Sequence, residues 1–375
     1  MIFINKQNIF IESIKQIKLK DKIAFDCEFI RETSFVPILC LIQIATDDEI
    51  YIIDPLNIDI TPLLEILQDV NILKIMHSCD QDIDVFFKNY DVIPHPIFDT
   101  QIAASFVGYG DAISYAKLVR KITKKLINKE NKLTNWKLRP LKTDQINYAV
   151  NDVKYLFLLE EKLQRELEDT KRKEWFLEES EIIYKKDNYY QEPDLAWQRI
   201  SHNSESPYFL NYLRGFAKLR ENLAVKENRP RRFIIKDELI IALAKLKPKK
   251  AEDILNDRIL KRSIDKKLIV NIIEVAQEVA LEKEELISDK NNRVANSKEE
   301  IIDILKIYLK YIAKNHNIAI KNIANSADLK DFISGNKTRF MSGWRYNIFG
   351  KFAANILNDE VIIKIKNGKV IFPEN

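Results

Sequence analysis

The chain has 375 residues, of which 46% are hydrophobic and 31% charged, with only 7 Gly and 11 Pro. This composition excludes collagen-like, low-complexity and wholly disordered proteins, and the length predicts two or three domains. The formal net charge is +4, but the first 100 residues carry 8 basic and 17 acidic side chains, whereas residues 201–375 carry 33 basic and 23 acidic ones. If the acidic N-terminal part acts on a polyanion, it needs bound cations.

The sequence also indicates the compartment. No run of about 18 apolar residues is free of charges, and the first ten residues lack the apolar segment of a signal peptide. Cys27, Cys40 and Cys79 are odd in number and lie in apolar stretches, which argues against a disulfide framework or a thiolate zinc site. We therefore expect a soluble, cytoplasmic protein that needs neither a membrane nor an obligate protein partner.

Short apolar runs open the chain. Their periodicity predicts strands over 22–29, 38–45, 49–53 and 72–76, and helices over 61–68 and 80–88. Thr61 followed by Pro62 predicts the N-cap and first turn of the earlier helix. The predicted elements begin with strands, and helices are interleaved afterwards. This order predicts an α/β fold in which a mixed sheet is covered by helices.

Helical patterns dominate the rest of the chain. An apolar stripe predicts one long helix from Thr143 to about Glu168. The polar, Pro-bounded segment 187–193 predicts a linker. Two helical blocks follow, at about 207–283 and 297–375, with no strand pattern until the last residues. The expected organisation is an α/β domain over 1–190, including the linker, and two small all-α bundles.

Two acidic residues interrupt the first apolar strand. Asp26 and Glu28 are two positions apart, so their side chains leave the same face of the strand. Carboxylates within a core strand are costly unless a cation neutralises them. Mg²⁺ or Mn²⁺ fits oxygen ligands, whereas the scattered histidines do not suit zinc. The alternative is a pair of carboxylates on an exposed edge strand.

Further candidates lie on the predicted helices. Asp82 is near the start of a helix, where Asp80 and Asp84 are rivals and where acidic residues are also common as partners of the helix dipole. Tyr148 and Asp152 are four residues apart on the long helix, so a phenol and a carboxylate share one face. Taken alone, such a pair is more often an ordinary feature of a helix surface.

A basic segment follows the acidic part of the chain. Between Lys117 and Lys142, ten basic side chains are opposed only by Glu130. Such a run suits contacts with phosphates, although a solvated helix and loop is an equal alternative. The candidates for nucleic-acid binding are Lys117, Arg120, Lys121, Lys124, Lys125, Lys137 and Arg139.

The order of these motifs is more specific than any one of them. Asp-x-Glu on a strand, a middle Asp early in a helix and Tyr-x-x-x-Asp on a late helix resemble the three motifs of the DEDD exonuclease superfamily, in its Tyr-containing branch. The segment around His77, Asp99-Thr-Gln, and Trp136-x-x-Arg-Pro-Leu make the chain similar to bacterial ribonuclease D over about residues 20–165. The resemblance implies a ribonuclease H-like mixed sheet.

The resemblance also implies residue roles and cofactors. Carried over by position, the ligands of two divalent ions, Mg²⁺ or Mn²⁺, are Asp26, Glu28, Asp82 and Asp152. Tyr148 would hold the attacking water, since a phenol with a pKa near 10 is a poor base. The sequence departs from the family at Cys27, where Thr is common, and at Asn135, where Asp is usual.

The helical blocks fit the same family. Ala224-x-x-x-Asn-x-Pro230 and the residues after it resemble the helicase-and-RNase-D C-terminal (HRDC) domain, a small helical bundle that binds nucleic acid. The last block, with Gly343-Trp344-Arg345, resembles a second, divergent domain of this type. Their net positive charge is what an electrostatic RNA clamp needs.

Together these features predict a 3′-to-5′ exoribonuclease that releases nucleoside 5′-monophosphates by a two-metal-ion mechanism. By resemblance, its substrates are RNAs with single-stranded 3′ ends, above all transfer-RNA precursors. Two alternatives remain open. One is a 3′ exonuclease that acts on DNA, and the other is a non-catalytic RNA-binding protein.

Overall fold

A computed structural model describes residues 1–127, 134–190, 192–202, 206–281, 299–358, 361–367 and 369–372. The N-terminal part, residues 1–190, contains a six-stranded mixed sheet. Its strands are β1 (Ile2–Ile4), β2 (Lys22–Ile30), β3 (Ile38–Ala45), β4 (Ile50–Ile53), β5 (Leu73–Met76) and β6 (Ile97–Asp99). Their spatial order is β1-β4-β3-β2-β5-β6. β3 is antiparallel to β2 and β4, and the other neighbours are parallel.

Helices cover this sheet, which confirms the predicted α/β class. They are α1 (Gln7–Ile17), α2 (Thr61–Gln68), α3 (Asp80–Tyr90), α4 (Thr100–Phe106), α5 (Tyr115–Thr123), α6 (Thr143–Lys154), α7 (Leu156–Asp169) and α8 (Lys173–Ser180). β2 lies inside the sheet between β3 and β5, so the alternative of an exposed edge strand does not apply to Asp26 and Glu28.

The predicted single helix over 143–168 is two helices, α6 and α7, which meet at Tyr155. The hydroxyl of Tyr115 enters the helical hydrogen-bond ladder there: it donates to the carbonyl of Asn151 at 2.9 Å and accepts the N–H of Tyr155 at 3.2 Å. These are the two backbone groups that would otherwise bond to each other in a continuous helix. A side chain inserted in this way is a known cause of a helix kink.

Two further local predictions need correction. The helix α2 begins at Thr61, but Thr61 is not its cap, because its N–H and hydroxyl both donate to Asp59 Oδ1, at 3.0 and 2.6 Å. The predicted linker over 187–193 is structured at both ends. Tyr189 is buried in the N-terminal core, and a 3₁₀ helix from Pro193 to Arg199 buries Trp197 in the next core. The sequence pattern also missed β1, α1 and β6.

The middle part, residues 192–281, is helical. Its helices are α9 (Pro207–Lys226), α10 (Arg231–Ile234), α11 (Asp237–Leu246), α12 (Ala251–Asn256), α13 (Leu260–Ser263) and α14 (Ile269–Leu281). Apolar residues of α9, α11 and α14 share a core with Trp197. This part therefore has a hydrophobic core of its own, as a separate domain requires.

The C-terminal part, residues 299–372, is helical with a two-stranded hairpin at its end. Its elements are α15 (Glu299–Asn315), α16 (Ile320–Ile323), α17 (Ser326–Ile333), α18 (Gly343–Arg345), α19 (Lys351–Leu357), β7 (Lys364–Lys366) and β8 (Lys369–Ile371). The C-terminal residues of the predicted second bundle, 373–375, and its first two, 297–298, lie outside the described residues.

The C-terminal part packs directly on the N-terminal part. Trp344 stacks on Trp175, with ring centroids 4.6 Å apart and planes 11° from parallel. The side chain of Arg345 is 3% exposed and pairs with Glu178 at 3.1 Å. Their buried apolar residues form one continuous core. The C-terminal helices therefore stabilise the face of the N-terminal part that carries α4 and α8.

Among the helices of the described ranges, none combines the length and the low polarity that crossing a membrane requires.

Candidate active site

Three carboxylates from two distant parts of the chain meet above the centre of the sheet. Asp26 and Glu28 project from β2, and Asp152 projects from α6, which packs against β2, β3 and β4. One oxygen of each carboxylate lies within 4.8 Å of the others. Like charges this close repel each other strongly unless a cation or protons neutralise them.

Asp82 lies on the wall of the same cavity, in the first turn of α3. It is not part of the three-carboxylate cluster. Its Oδ1 accepts a hydrogen bond from the thiol of Cys27, at a distance of 3.0 Å between sulfur and oxygen. Cys27 therefore links β2 to the first turn of α3 through this acid.

The cavity distinguishes Asp82 from its two rivals. Neither Asp80 nor Asp84 belongs to its wall. Asp84 forms ion pairs with Arg31 at 2.7 Å and with Lys88 at 2.9 Å. Of the three acids of this helix, only Asp82 shares the cavity wall with Asp26, Glu28 and Asp152, and this position favours it over its rivals.

Tyr148 lies one helical turn before Asp152 on α6 and lines the same cavity. Burial first, and then the charges of Asp152, Glu28 and Asp26, raise the pKa of Tyr148 well above its usual value, and a hydrogen bond with Asp152 adds to the effect. The phenol therefore stays protonated at neutral pH and acts as a hydrogen-bond donor. The ring of Trp136 lies 6.0 Å from that of Tyr148, and its buried indole N–H has no hydrogen-bond partner among the described residues.

Burial also changes the carboxyl groups. It raises the pKa of Asp26 well above its usual value, with the charges of Asp82, Asp152 and Glu28 adding to the effect. Burial raises the pKa of Asp82 to about 7, although the hydrogen bond from Cys27 opposes the shift. The cluster thus carries more negative charge than its surroundings stabilise. An all-oxygen set of this kind fits a hard divalent cation.

The cavity has a volume of about 1050 Å³ and combines acidic, basic and aromatic walls. Among the described residues, Arg31 and Lys137 supply its lysine and arginine side chains, and His77, Tyr115 and Trp136 supply aromatic surface. His77 is held by Thr100 Oγ1 at 2.8 Å and by the carbonyl of Ile113 at 3.0 Å. A site that combines carboxylates, basic side chains and aromatic rings suits a phosphodiester chain.

The predicted basic residues fall into three groups. The first five, which are Lys117, Arg120, Lys121, Lys124 and Lys125, are exposed on α5 or just after it and do not line the cavity. Lys137 is exposed and lines it. Two other residues of the basic run, Lys129 and Lys132, lie outside the described residues.

Arg139 forms the third group of predicted basic residues. All its hydrogen-bond donors are used inside the protein. Nε and Nη2 contact the two oxygens of Asp54, at 2.5 and 2.8 Å, and Nη2 also donates to the carbonyl of Cys40 at 2.7 Å. Nη1 donates to the carbonyls of Trp136 and Leu138. With five N–H groups and five acceptors, Arg139 has no donor left for a phosphate. Its contacts give it a structural role in place of the predicted one.

Sequence reasoning missed Arg31 and Tyr115. Arg31 directly follows β2, the strand that carries Asp26 and Glu28. A basic residue at the end of that strand was the feature of the sequence that could have identified it. Tyr115 gave no signal, since its role depends on a contact with α6, about 40 residues away. Both residues line the cavity.

This fold and site define a class: an α/β exonuclease with a carboxylate centre. Comparisons with known proteins agree. A family model described as "3'-5' exonuclease" matches residues 1–168, and the HRDC domain model matches residues 210–269. Curated relatives named "Ribonuclease D" include one from Bartonella henselae, 36% identical over 96% of this chain and 90% of its own length. Another, from a Jannaschia species, is 36% identical over 93% of each chain.

The chain belongs to the ribonuclease D family, and it is a 3′–5′ exoribonuclease. A solved structure supports the whole fold. Escherichia coli RNase D, described as an exoribonuclease involved in structured RNA processing, superposes with a TM-score of 0.85 at 22% identity. The superposition covers 96% of this chain and 98% of the other, so the three-part architecture extends over both.

Proposed function

We propose that the cavity at Asp26 is the active site at which this exoribonuclease hydrolyses RNA from the 3′ end. The observation that supports it most is the approach of the Asp26, Glu28 and Asp152 carboxylates to within 4.8 Å. Asp82, on the same wall, completes the set of four acids. In this proposal the four acids hold two divalent ions, Mg²⁺ or Mn²⁺. When bound, such ions supply charge neutralisation at the phosphate and an activated water.

The chain's own side chains orient the reaction. The phenol of Tyr148 stays neutral beside Asp152, so it positions the attacking water by a hydrogen bond and does not remove its proton. Arg31 and Lys137 face the same space and contact the phosphates of the terminal nucleotides. Attack by water at the last phosphorus, with loss of the 3′ oxygen of the preceding nucleotide, releases a nucleoside 5′-monophosphate.

The size of the cavity bears on the substrate. A space of about 1050 Å³ bounded by side chains has room for an unpaired 3′ end. We therefore propose structured RNAs with single-stranded 3′ tails, and transfer-RNA precursors in particular. The similar Escherichia coli protein is described as acting in structured RNA processing. The three buried, unpaired cysteines agree with the reducing cytoplasm where such RNAs occur.

The domain assignment supports RNA binding outside the cavity. The family model places an HRDC domain within the middle part. We propose that the C-terminal part is a second, divergent HRDC-like domain, anchored to the N-terminal part through Trp344 and Arg345. The exposed lysines and arginine on and after α5 would extend the phosphate-binding surface away from the cavity.

One incubation tests the proposed reaction. A 3′-hydroxyl RNA with a hairpin and a single-stranded tail is incubated with the protein, with and without Mg²⁺ or Mn²⁺. We expect nucleoside 5′-monophosphates and a ladder of RNAs shortened one nucleotide at a time, stopping near the hairpin, only when a divalent ion is present. A matched deoxy-oligonucleotide should be degraded more slowly. Products of internal cleavage, or 3′-monophosphates, would contradict the proposed chemistry.

Tyr148→Phe removes the hydroxyl and keeps the ring against Trp136. We expect turnover to fall by about 10²-fold, since one positioned hydrogen-bond donor in an active site is worth about that much. Binding of RNA should stay within about twofold of the wild type. Single-turnover rates at saturating protein measure the effect. An unchanged rate would exclude a role for the hydroxyl in orienting water.

A further inference from the structure

The segment 31–37 forms part of the wall of the proposed active site. Arg31, Glu32 and Thr33 line the cavity, and the chain then turns back into β3. Within the segment, Ser34 Oγ donates to the carbonyl of Val36 at 2.6 Å. Residues 31–37 belong to no strand or helix, so the position of the segment depends on contacts with neighbouring elements. We call this segment the wall loop.

One set of contacts comes from α3, in the same domain. Arg31 forms an ion pair with Asp84 at 2.7 Å. Asn89 Nδ2 donates to the carbonyl of Pro37 at 3.0 Å. These contacts hold the two ends of the wall loop, where it leaves β2 and where it enters β3.

The middle of the wall loop is held from another domain. The N–H of Val36 donates to Asn228 Oδ1 at 2.8 Å, across 192 positions of the chain. Two positively charged side chains lie over the ring of Phe35, with the guanidinium of Arg231 at 4.8 Å and the ammonium of Lys88 at 5.6 Å from its centroid. Asn228 and Arg231 both lie within the region matched as the HRDC domain.

On the HRDC side of this contact, a buried acid holds Arg231. Arg231 Nε donates to Glu221 Oε2 at 2.5 Å, and its Nη2 contacts the other oxygen of the same carboxylate. Glu221 is 3% exposed and belongs to the long helix α9. A bidentate pair to a buried acid fixes the direction of the guanidinium, and hence the place where Phe35 can stack.

We propose that Asn228 and Arg231 are positioning residues for exoribonuclease activity: the HRDC domain holds the wall loop in the form that accepts the RNA 3′ end. This gives the domain a task at the active site in addition to binding nucleic acid. The proposal rests on the location of the active site in the cavity. A wall loop that is free to move spends only part of its time in the competent form, and apparent affinity for RNA falls by that fraction.

Asn228 offers a clean test because its backbone has a φ of +46°, in the left-handed region. Asn228→Gly removes the acceptor of the Val36 N–H without backbone strain. Asn228→Asp keeps an oxygen acceptor at the same place. The matched control is Asn367→Gly, which is the same substitution at an exposed residue with a φ of +54°, in the C-terminal hairpin.

With a short single-stranded RNA as substrate, we expect Asn228→Gly to raise KM about fivefold, the equivalent of one hydrogen bond, with kcat changed less than about twofold. Amide hydrogen exchange in the peptide that contains Val36 should become faster by a similar factor. Asn228→Asp and Asn367→Gly should match the wild type in both measurements.

Asp152→Asn, measured in parallel, separates this proposal from the assignment of the active site. If Asp152→Asn is inactive but Asn228→Gly leaves KM and exchange at Val36 unchanged, the positioning role is overturned and the active site stands. If Asp152→Asn stays active, the active site itself is wrong. A fall in kcat with an unchanged KM in Asn228→Gly would also overturn the proposal, because a displaced wall loop acts on binding.

Discussion

Asp152→Asn is expected to lower turnover by at least about 10³-fold while RNA binding is retained. The amide has nearly the size and shape of the carboxylate, so the packing of α6 on the sheet should be unchanged. It lacks the negative charge that Asp152 adds to the cluster with Asp26 and Glu28. The loss of one group that stabilises charge in an active site commonly costs about 10²- to 10³-fold, and loss of a metal ligand costs more.

The measurement combines single-turnover rates in Mg²⁺ with RNA affinity determined in the absence of divalent ions. Asp144→Asn is the control, since Asp144 lies on the same helix but in its exposed first turn. It should behave as the wild type. Mg²⁺-dependent activity retained in Asp152→Asn would refute the proposed site.

Arg139→Met is expected to destabilise the protein by about 3–5 kcal/mol, because it leaves the buried carboxylate of Asp54 without its partner. Asp54 is 5% exposed, and Arg139 supplies two of its contacts. The substitution also removes the hydrogen bonds that Arg139 donates to the carbonyls of Cys40 and Trp136. The segment that carries Trp136 and Lys137 into the cavity should loosen as well.

Urea unfolding measures this loss. The double variant Arg139→Met, Asp54→Asn should recover part of it, because no buried charge is then left unpaired. Lys137→Met is the contrast, since Lys137 is exposed and lines the cavity. It should keep its stability and raise KM for RNA. If Arg139→Met unfolded like the wild type and lost only RNA affinity, Arg139 would be a phosphate ligand after all.

The elements nearest the site could be predicted from the sequence because their patterns are local. Apolar alternation and run length identified β2 and β3, and the apolar stripe identified the region of α6 and α7. The break between those helices was not predictable, since the hydroxyl that causes it belongs to Tyr115 on α5. Short elements such as β1 and β6, of three residues each, carry too few positions for a periodic signal.

The acids of the site were predictable in part for the same reason. The period of two places Asp26 and Glu28 on one face of β2, and the helical period places Tyr148 and Asp152 on one face of α6. The choice of Asp82 was different. The position of Asp82 in the predicted helix does not distinguish it from Asp80 or Asp84, and in the sequence only the resemblance to known motifs favours it. In the structure, its place on the cavity wall favours it as well.

The fold class could be predicted from the sequence because strand and helix periods depend on residues close together in the chain, and the family could be recognised because its motifs follow one another in a fixed order. The roles of Arg139, Arg31 and the HRDC contact with the wall loop became clear only from the folded chain. These roles depend on contacts between distant positions: Arg139 lies 85 positions from Asp54, and Asn228 lies 192 positions from Val36. A basic side chain can bind RNA only if no buried carboxylate already occupies it, and this depends on which surfaces the folded chain brings together.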